Sequence, residues 1–163
     1  MTNIWTSVVW PQFGAAIKTL ENAINACPEE LWSDRSKRHE FWYMVYHTLF
    51  WLDYYLADSA EDYTPPEPYT MSEMDPSGVL PDRVYTKDEM LAYLEHGREK
   101  CRSVMQNMSD EKAVRMSKFG SLDLACGELH LYNLRHVQHH AAQLNLLLRL
   151  NIDSAPGWVR RAE

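Results

Sequence analysis

The segment NLRHVQHHAAQLNLLLR, residues 133–149, combines the pattern of a core helix with a cluster of histidines. Its apolar side chains recur at heptad-like intervals, which is the spacing of a helix that packs into a bundle. They are Leu134, Val137, Ala141, Leu144 and Leu148. His136, His139 and His140 lie in the same helix, where leucine would pack without burying a polar group. The segment therefore predicts a bundle helix that carries a site.

Three further long helices are expected upstream of this one. Apolar side chains at steps of three or four residues place them at about residues 3–26, 38–59 and 87–108. Pro11 should kink or shorten the first helix, because proline cannot donate a backbone hydrogen bond. Thr86 with Glu89 three residues later matches a capping box and marks the start of the third. Four long helices predict an all-α protein built as a four-helix bundle.

The boundaries of the last helix are less sharply defined than its centre. Ser121 or Asp123 could cap its start, and its apolar pattern should carry it to about Asn151. Strand signals are weak and occur at two places, residues 79–85 and 116–124. Any sheet should therefore be a minor addition to the helices.

A long connection, residues 60–86, separates the second and third predicted helices and contains five prolines. This segment is called the crossover below. Irregular connections of this length are uncommon in compact domains and are often functional lids. The alternative is a strap that merely crosses from one helix to the next.

Length and composition limit the classes of protein that the chain can represent. The 163 residues, 45% of them hydrophobic, suit a single domain over residues 1–163. A formal net charge of −7, with dispersed basic residues, argues against a nucleic-acid partner. No apolar run is long enough to span a membrane, and no signal-peptide pattern begins the chain. The three cysteines form no CxxC pair, which favours reduced thiols and a cytoplasmic location.

The spacing of the histidines in the last helix favours a metal site. His136 and His140 lie about 40° apart around a helix and one turn apart along it, so both can reach one ion. His139 lies about 60° to the other side of His136 and could pair with it instead. Gln143 falls one further turn along the same face, where its amide could orient a ligand or hold a water.

A catalytic zinc site commonly uses three protein ligands, so a further ligand must come from another helix. His47 is the strongest candidate, since it lies inside the apolar segment WYMVYHTLFWL, residues 42–52. A buried imidazole there needs partners for both ring nitrogens, and a metal would supply one of them. His39 and His96 lie in charged segments, and His130 lies about 120° from His136 around the helix.

These features together resemble the DinB-like superfamily of metalloenzymes. The resemblance rests on His47 followed by Asp53-Tyr54-Tyr55, on the proline-rich crossover, and on HVQHHAAQ, residues 136–143. The family often has glycine where this chain has Ala142. The resemblance implies an up-down-down-up bundle with the crossover between helices 2 and 3, and a metal held by His47, His136 and His140. It also implies a homodimer.

The resemblance and the site chemistry lead to three hypotheses about function. The first is a thiol-dependent S-transferase, in which a divalent metal, zinc or nickel, activates a low-molecular-weight thiol toward a small electrophilic substrate. The second keeps the metal but activates water for hydrolysis. The third is a non-enzymatic metal-binding or stress-response bundle. The sequence assigns no catalytic residue, but His139, Gln143, Asp53 and Tyr69 are candidates for positions beside the metal or in its pocket.

Overall fold

The computed structural model describes residues 3–36 and 40–163, and this part of the chain is mostly helical. The α-helices are α1 Trp10–Ala26, α2 Glu29–Trp32, α3 Phe41–Tyr54, α4 Lys87–Gln106, α5 Asp110–Ala113 and α6 Cys126–Ile152. A π-helical turn, Trp5–Val9, precedes α1, and a 3-10 turn, Ser72–Met74, lies in the crossover. The strands are β1 Met116–Phe119 and β2 Leu122–Ala125. The all-α class is confirmed, with one small hairpin added.

The four long helices enclose one hydrophobic core. Helix α1 contacts α4 and α6, and α3 contacts the same two helices. Aromatic side chains fill much of this core, because α3 is apolar on nearly every side. The largest buried ones include Trp32, Trp42, Tyr46, Tyr93, Phe13, Phe41 and Phe50. Gly97 lets α4 approach α3 closely, since a Cβ there would lie 2.9 Å from Leu52 Cδ2.

Two of the predicted helix starts have a clear local cause. Pro11 is in the first turn of α1, where its missing N–H breaks no helical hydrogen bond, and the π-helical turn lies ahead of it. At α4 the hydroxyl of Thr86 accepts a hydrogen bond from the Glu89 backbone N–H at 3.2 Å. The Glu89 carboxylate accepts one in return from the Thr86 backbone N–H at 2.8 Å. The predicted capping box is therefore confirmed.

The predicted cap of the last helix is wrong. Helix α6 begins at Cys126 after Ala125, which offers no capping side chain. Asp123 instead pairs with Lys118 in the hairpin. The hairpin turns at Gly120, whose φ of 59° suits a tight connection between antiparallel strands. The weak strand signal at residues 116–124 was the correct interpretation there, whereas residues 79–85 form no strand.

The crossover is fastened to the helices along its length. The Tyr46 hydroxyl of α3 donates a hydrogen bond to the Thr70 carbonyl at 2.6 Å. Tyr69 stacks on Tyr93 of α4 with ring centroids 4.0 Å apart and planes inclined by 9°. Helix α3 ends at Tyr54, five residues before the predicted boundary, so the irregular connection begins earlier than expected.

Among the described residues, none of the helices combines the length and apolar character that a membrane crossing requires.

Candidate metal centre

Three histidines from two contacting helices meet at one point. His47 lies in the middle of α3, and His136 and His140 lie one turn apart on α6. The Nε2 atoms of His47 and His136 are 3.3 Å apart. The ring centroids of His47 and His140 are 4.9 Å apart, and those of His136 and His140 are 4.5 Å apart. One ring nitrogen from each residue lies within 4.8 Å of the other two. These residues are called the histidine cluster.

The spacing within the histidine cluster suits a first-row transition metal. For a tetrahedral ion with metal–nitrogen bonds of about 2.05 Å, two ligand nitrogens stand about 3.3 Å apart. The separation of the His47 and His136 Nε2 atoms has this value. The upper bound of 4.8 Å on the remaining pairs exceeds it by about 1.5 Å, which a small rotation of one ring would close.

His136 and His140 are held in the neutral form that binds metals. Burial, followed by the neighbouring imidazoles His140 and His47, lowers the pKa of His136 to about 3. Burial and His47 likewise lower the pKa of His140 to about 4. A neutral imidazole offers a lone pair to a cation, whereas a protonated one does not. At neutral pH these rings are therefore ready to ligate without first losing a proton.

Hydrogen bonds at the outer nitrogens fix two of the three rings. His47 Nδ1 is 2.7 Å from Glu73 Oε2, a carboxylate that also accepts a hydrogen bond from Trp51 Nε1 at 3.0 Å. His140 Nδ1 is 2.7 Å from Gln143 Oε1. In both histidines the arrangement leaves Nε2 directed toward the cluster, as metal-binding histidines require. His136 Nδ1 is buried without a hydrogen-bond partner.

Glu73 is ionised although its side chain is only 4% exposed. Burial alone would raise the pKa of this carboxyl, but its hydrogen bonds, that with His47 foremost, lower the pKa below the usual value. A charged acceptor makes a stronger hydrogen bond than a neutral one. Glu73 therefore holds the His47 ring firmly, with the proton on Nδ1.

The histidine cluster borders an apolar cavity of about 430 Å³. The lining residues are Tyr43, Met44, His47, His140, Gln143, Leu146 and Leu147. Burial, and then the adjacent Glu73 carboxylate, raises the pKa of the Tyr43 hydroxyl, so this group stays protonated. A larger cavity of about 730 Å³ lies beside Trp10 and Arg102, but no histidine lines it.

The structure separates the remaining predicted site residues. Gln143 lies beside the histidine cluster, and the exposed ring of His139 stands 5.1 Å from that of His140, outside the cluster. Tyr69 is remote from it: its hydroxyl donates to the Glu89 carbonyl of α4. His39 lies outside the described residues, and His130 contacts Cys126 at the other end of α6.

Asp53 belongs to a different polar group, here called the Asp53 cluster. Its carboxylate is 1% exposed and accepts hydrogen bonds from Lys100 Nζ at 2.5 Å and Tyr63 Oη at 2.9 Å. Tyr93 Oη and His96 Nε2 lie 3.3 Å from the same carboxylate. None of these partners belongs to the histidine cluster, so Asp53 is not placed beside the candidate metal.

Glu73 is the residue that the sequence did not reveal. It follows His47 by 26 residues and lies in the crossover, where no periodicity relates it to a helix face. The only available signal was chemical, since a metal-binding histidine usually needs an acceptor for its second ring nitrogen. Several acidic residues of the crossover could have filled that role equally well on sequence grounds.

Comparison with known proteins adds a family to this geometry. The sequence model described as the DinB superfamily matches residues 12–144, a range that includes all three members of the histidine cluster. No curated protein and no solved structure matches the chain.

Proposed function

This chain belongs to the DinB superfamily, and from that premise we propose that it is a metal-dependent enzyme whose divalent ion is held by His47, His136 and His140. The observation that carries the proposal is the convergence of three imidazoles from two helices at the edge of an apolar cavity. A buried polar cluster of this kind is costly unless something satisfies it. The Nε2 atoms of His47 and His136 are 3.3 Å apart, and because Nδ1 of His47 faces the Glu73 carboxylate, Nε2 of His47 offers a lone pair to the centre of the cluster.

We propose zinc or nickel as the ion, two of the metals that imidazole ligands suit. Three neutral imidazoles match both metals and leave the full charge of the ion uncompensated. Once bound, such an ion supplies a Lewis acid that lowers the pKa of a coordinated thiol or water. The protein supplies the orientation of the ligands through Glu73 and Gln143 and an adjoining cavity of limited polarity.

We propose transfer of a low-molecular-weight thiol to a small electrophile as the reaction. The sulfur would form a bond to an electrophilic carbon while the bond from that carbon to its leaving group breaks. The thiol proton would go to solvent before the bond forms, and the leaving group would depart with its electron pair, so the step needs no separate general base. None of the described residues that line the cavity is a carboxylate, and the nearby Glu73 is already engaged with His47. With no base beside the ion in the described part of the chain, hydrolysis would depend on metal-bound hydroxide alone, and thiol transfer on metal-bound thiolate.

Two polar side chains of the cavity are assigned to substrate orientation. The Tyr43 hydroxyl, whose proton is directed to Glu73, can accept a hydrogen bond from a donor on the electrophile. Gln143 uses its carbonyl oxygen for His140, which leaves its amide N–H groups available to a ligand. The methionine and leucines around them, Met44, Leu146 and Leu147, suit an apolar substrate body.

The proposal extends to the architecture around the site. We propose that residues 1–163 form a single domain with the up-down-down-up topology of a four-helix bundle, in which the crossover joins helices 2 and 3. The contacts of α1 and α3 with both α4 and α6 support this arrangement. A homodimer, a cytoplasmic location and a small-molecule substrate complete the proposal and derive from the family resemblance and the composition.

Metal analysis of untagged protein tests the first step. Wild-type protein should carry about one equivalent of zinc or nickel, and His47→Ala should carry none. His139→Ala is the matched control, because it removes a histidine from the same surface but outside the cluster. Protein without stoichiometric metal, or equal loss in both variants, would contradict the proposed centre.

Cobalt substitution tests the reaction. The visible spectrum of the cobalt protein should shift when a low-molecular-weight thiol is added, because a sulfur–cobalt charge-transfer band appears. Model electrophiles should consume that thiol faster with wild-type protein than with His47→Ala. Hydrolysis of an ester or lactone panel without any thiol effect would assign the site to a hydrolase. Stoichiometric metal without either activity would leave a binding protein.

A further inference from the structure

A second chemically distinctive site lies at the start of α6, ten residues before His136. Cys126 is the first residue of this helix, and its Sγ atom is 3.7 Å from Nε2 of His130, one turn further along. Both side chains line a cavity of about 190 Å³ between α6, the hairpin and the end of α3. This cavity, called the thiol cavity, contains no residue of the histidine cluster.

The surroundings of His130 give a second indication of a site, beyond the i, i+4 spacing of the pair. The residue is 4% exposed, and its Nδ1 atom is buried without a hydrogen-bond partner. A buried polar atom without a partner costs about 1–3 kcal/mol, so such atoms call for an explanation. Burial and the nearby Lys112 lower the pKa of His130 to about 4, and the ring is therefore neutral at pH 7. A neutral imidazole can donate its Nε2–H to a thiolate.

The charges around the thiol cavity favour an anion. Lys112 and Arg115 line it, although Arg115 also forms an ion pair with Glu111 on the surface. Asp58 lines the same cavity and opposes them. The amino end of the 27-residue helix α6 adds a partial positive charge beside Cys126. Lys112 and the amino end of α6 together outweigh the charge of Asp58, so the thiol cavity favours negatively charged ligands.

The other two cysteines provide a contrast within the same chain. Cys27 and Cys101 are 1% and 0% exposed. Burial raises the pKa of Cys27 to about 12 and also raises that of Cys101. Neither thiol can readily ionise or meet a reagent. Cys126, partly exposed and next to a cavity, differs from both in access and in surroundings.

We propose that Cys126 and His130 form a second reactive site, in which the thiol is covalently modified by small anionic electrophiles that bind beside Lys112. Cys126 Sγ forms a bond to the electrophilic carbon, the leaving group departs with its electron pair, and the thiol proton goes to solvent. His130 stabilises the sulfur anion through its Nε2–H, and Lys112 attracts the negative group of the electrophile. This site is independent of the proposed metal chemistry.

Competitive alkylation of the full, folded chain tests the proposal. Iodoacetate and iodoacetamide share one leaving group but differ in charge, and peptide mass spectrometry reports each cysteine separately. Cys126 should react first, ahead of Cys27 and Cys101. Its iodoacetate-to-iodoacetamide rate ratio should exceed that of an uncharged cysteine peptide by about fivefold, as expected for one nearby positive charge in a partly aqueous setting.

Three substitutions separate the roles of the residues. Lys112→Met should return the rate ratio toward that of the peptide, whereas Asp58→Asn should raise it. His130→Leu should slow both reagents about tenfold and leave the ratio unchanged. A wild-type ratio equal to that of the peptide, or a ratio insensitive to Lys112→Met, would overturn the proposal. These two measurements decide the matter even if His130→Leu fails to fold.

Discussion

Helix α3 carries two polar groups that behave in opposite ways. The carboxylate of the Asp53 cluster is saturated, since both of its oxygens accept hydrogen bonds from side chains of the same chain. In the histidine cluster, six residues earlier, three Nε2-bearing rings face one another and a further ring nitrogen, Nδ1 of His136, has no partner. Buried polar groups that are fully paired stabilise a fold, whereas convergent groups that pair only in part can bind a ligand. Saturation is therefore a better guide to function than burial or charge.

Removal of the Asp53 carboxylate should have the largest effect on stability. Asp53→Ala leaves Lys100 as an uncompensated charge and removes the acceptor of two tyrosine hydroxyls. We expect the free energy of unfolding to fall by about 3–5 kcal/mol. Urea denaturation measures the change, with Asp82→Ala, an exposed aspartate of the crossover, as the control. A loss below about 1 kcal/mol would show that the cluster is not a structural unit.

Removal of the charge on Glu73 should weaken the proposed metal centre without dismantling it. Glu73→Gln keeps the size of the side chain but loses the charged acceptor of His47 Nδ1. Metal affinity should fall about 10–100-fold, the usual range for residues that orient a metal-binding histidine. Competition with a chelating dye measures it. Glu67→Gln, on the exposed side of the same crossover, should leave the affinity unchanged, and equal affinities in both variants would refute the role of Glu73.

His130, which is buried but lies outside the histidine cluster, separates the effect of burial on the pKa from the effect of neighbouring imidazoles. The pKa of His130 is about 4 in the folded protein, below the ordinary value of 6.5, so the unfolded chain binds a proton first as the pH falls. The stability due to this residue is complete above pH 6.5 and declines as the pH approaches 4. Between pH 7 and 4.5 the decline should be about 2 kcal/mol.

Denaturation of metal-free protein at these two pH values measures the total decline, to which His136 and His140 also contribute, and His130→Gln should reduce it by about 2 kcal/mol. His139→Gln, which replaces an exposed histidine of the same helix, serves as the control and should leave the contribution of His130 in place. An unchanged pH dependence in His130→Gln would mean that the buried ring is as easily protonated in the folded protein as in the unfolded one.

The smallest expected effect is an increase in stability. In metal-free protein, His136→Leu removes the buried Nδ1 atom that has no partner, and with it the contact between Nε2 of His136 and Nε2 of His47. The free energy of unfolding should rise by about 1 kcal/mol. Urea denaturation in the presence of a chelator provides the measurement, and His139→Leu should change little. Destabilisation by His136→Leu would place the histidine cluster in the same structural category as the Asp53 cluster.

The parts of the fold that depend on neighbouring residues were predictable from the sequence. The four long helices follow from apolar periodicity, and Thr86 with Glu89 fixed the start of α4 because a capping box needs only four residues. The start of α6 was not predictable in this way. Ser121 and Asp123 have the chemistry of helix caps, but pairing of β1 with β2 uses this stretch for a hairpin instead. Tertiary pairing overrode the local preference.

In the candidate site, too, residues related by local spacing were predictable, and residues brought together by tertiary contacts were not. His136 and His140 are neighbours by helical geometry alone, and His47 was identifiable because imidazole is unusual inside so apolar a helix. Asp53 was a candidate for a position beside the metal, but its partners Tyr63 and Lys100 come from other parts of the chain. Glu73 has no local pattern at all. Residues whose role depends on the path of the crossover could not be found from spacing.

The bond between Glu73 and His47 has a thermodynamic consequence for the whole segment that contains it. A ligand that favours the present orientation of the His47 ring must also favour the attachment of the crossover to α3. By thermodynamic reciprocity, the attached crossover raises the affinity for that ligand by the same factor. Proteases would then cleave the crossover more slowly when the histidine cluster has bound its ligand. The proteolysis rate of the crossover would therefore indicate whether the histidine cluster is occupied, although the crossover contributes only the Glu73 carboxylate to it.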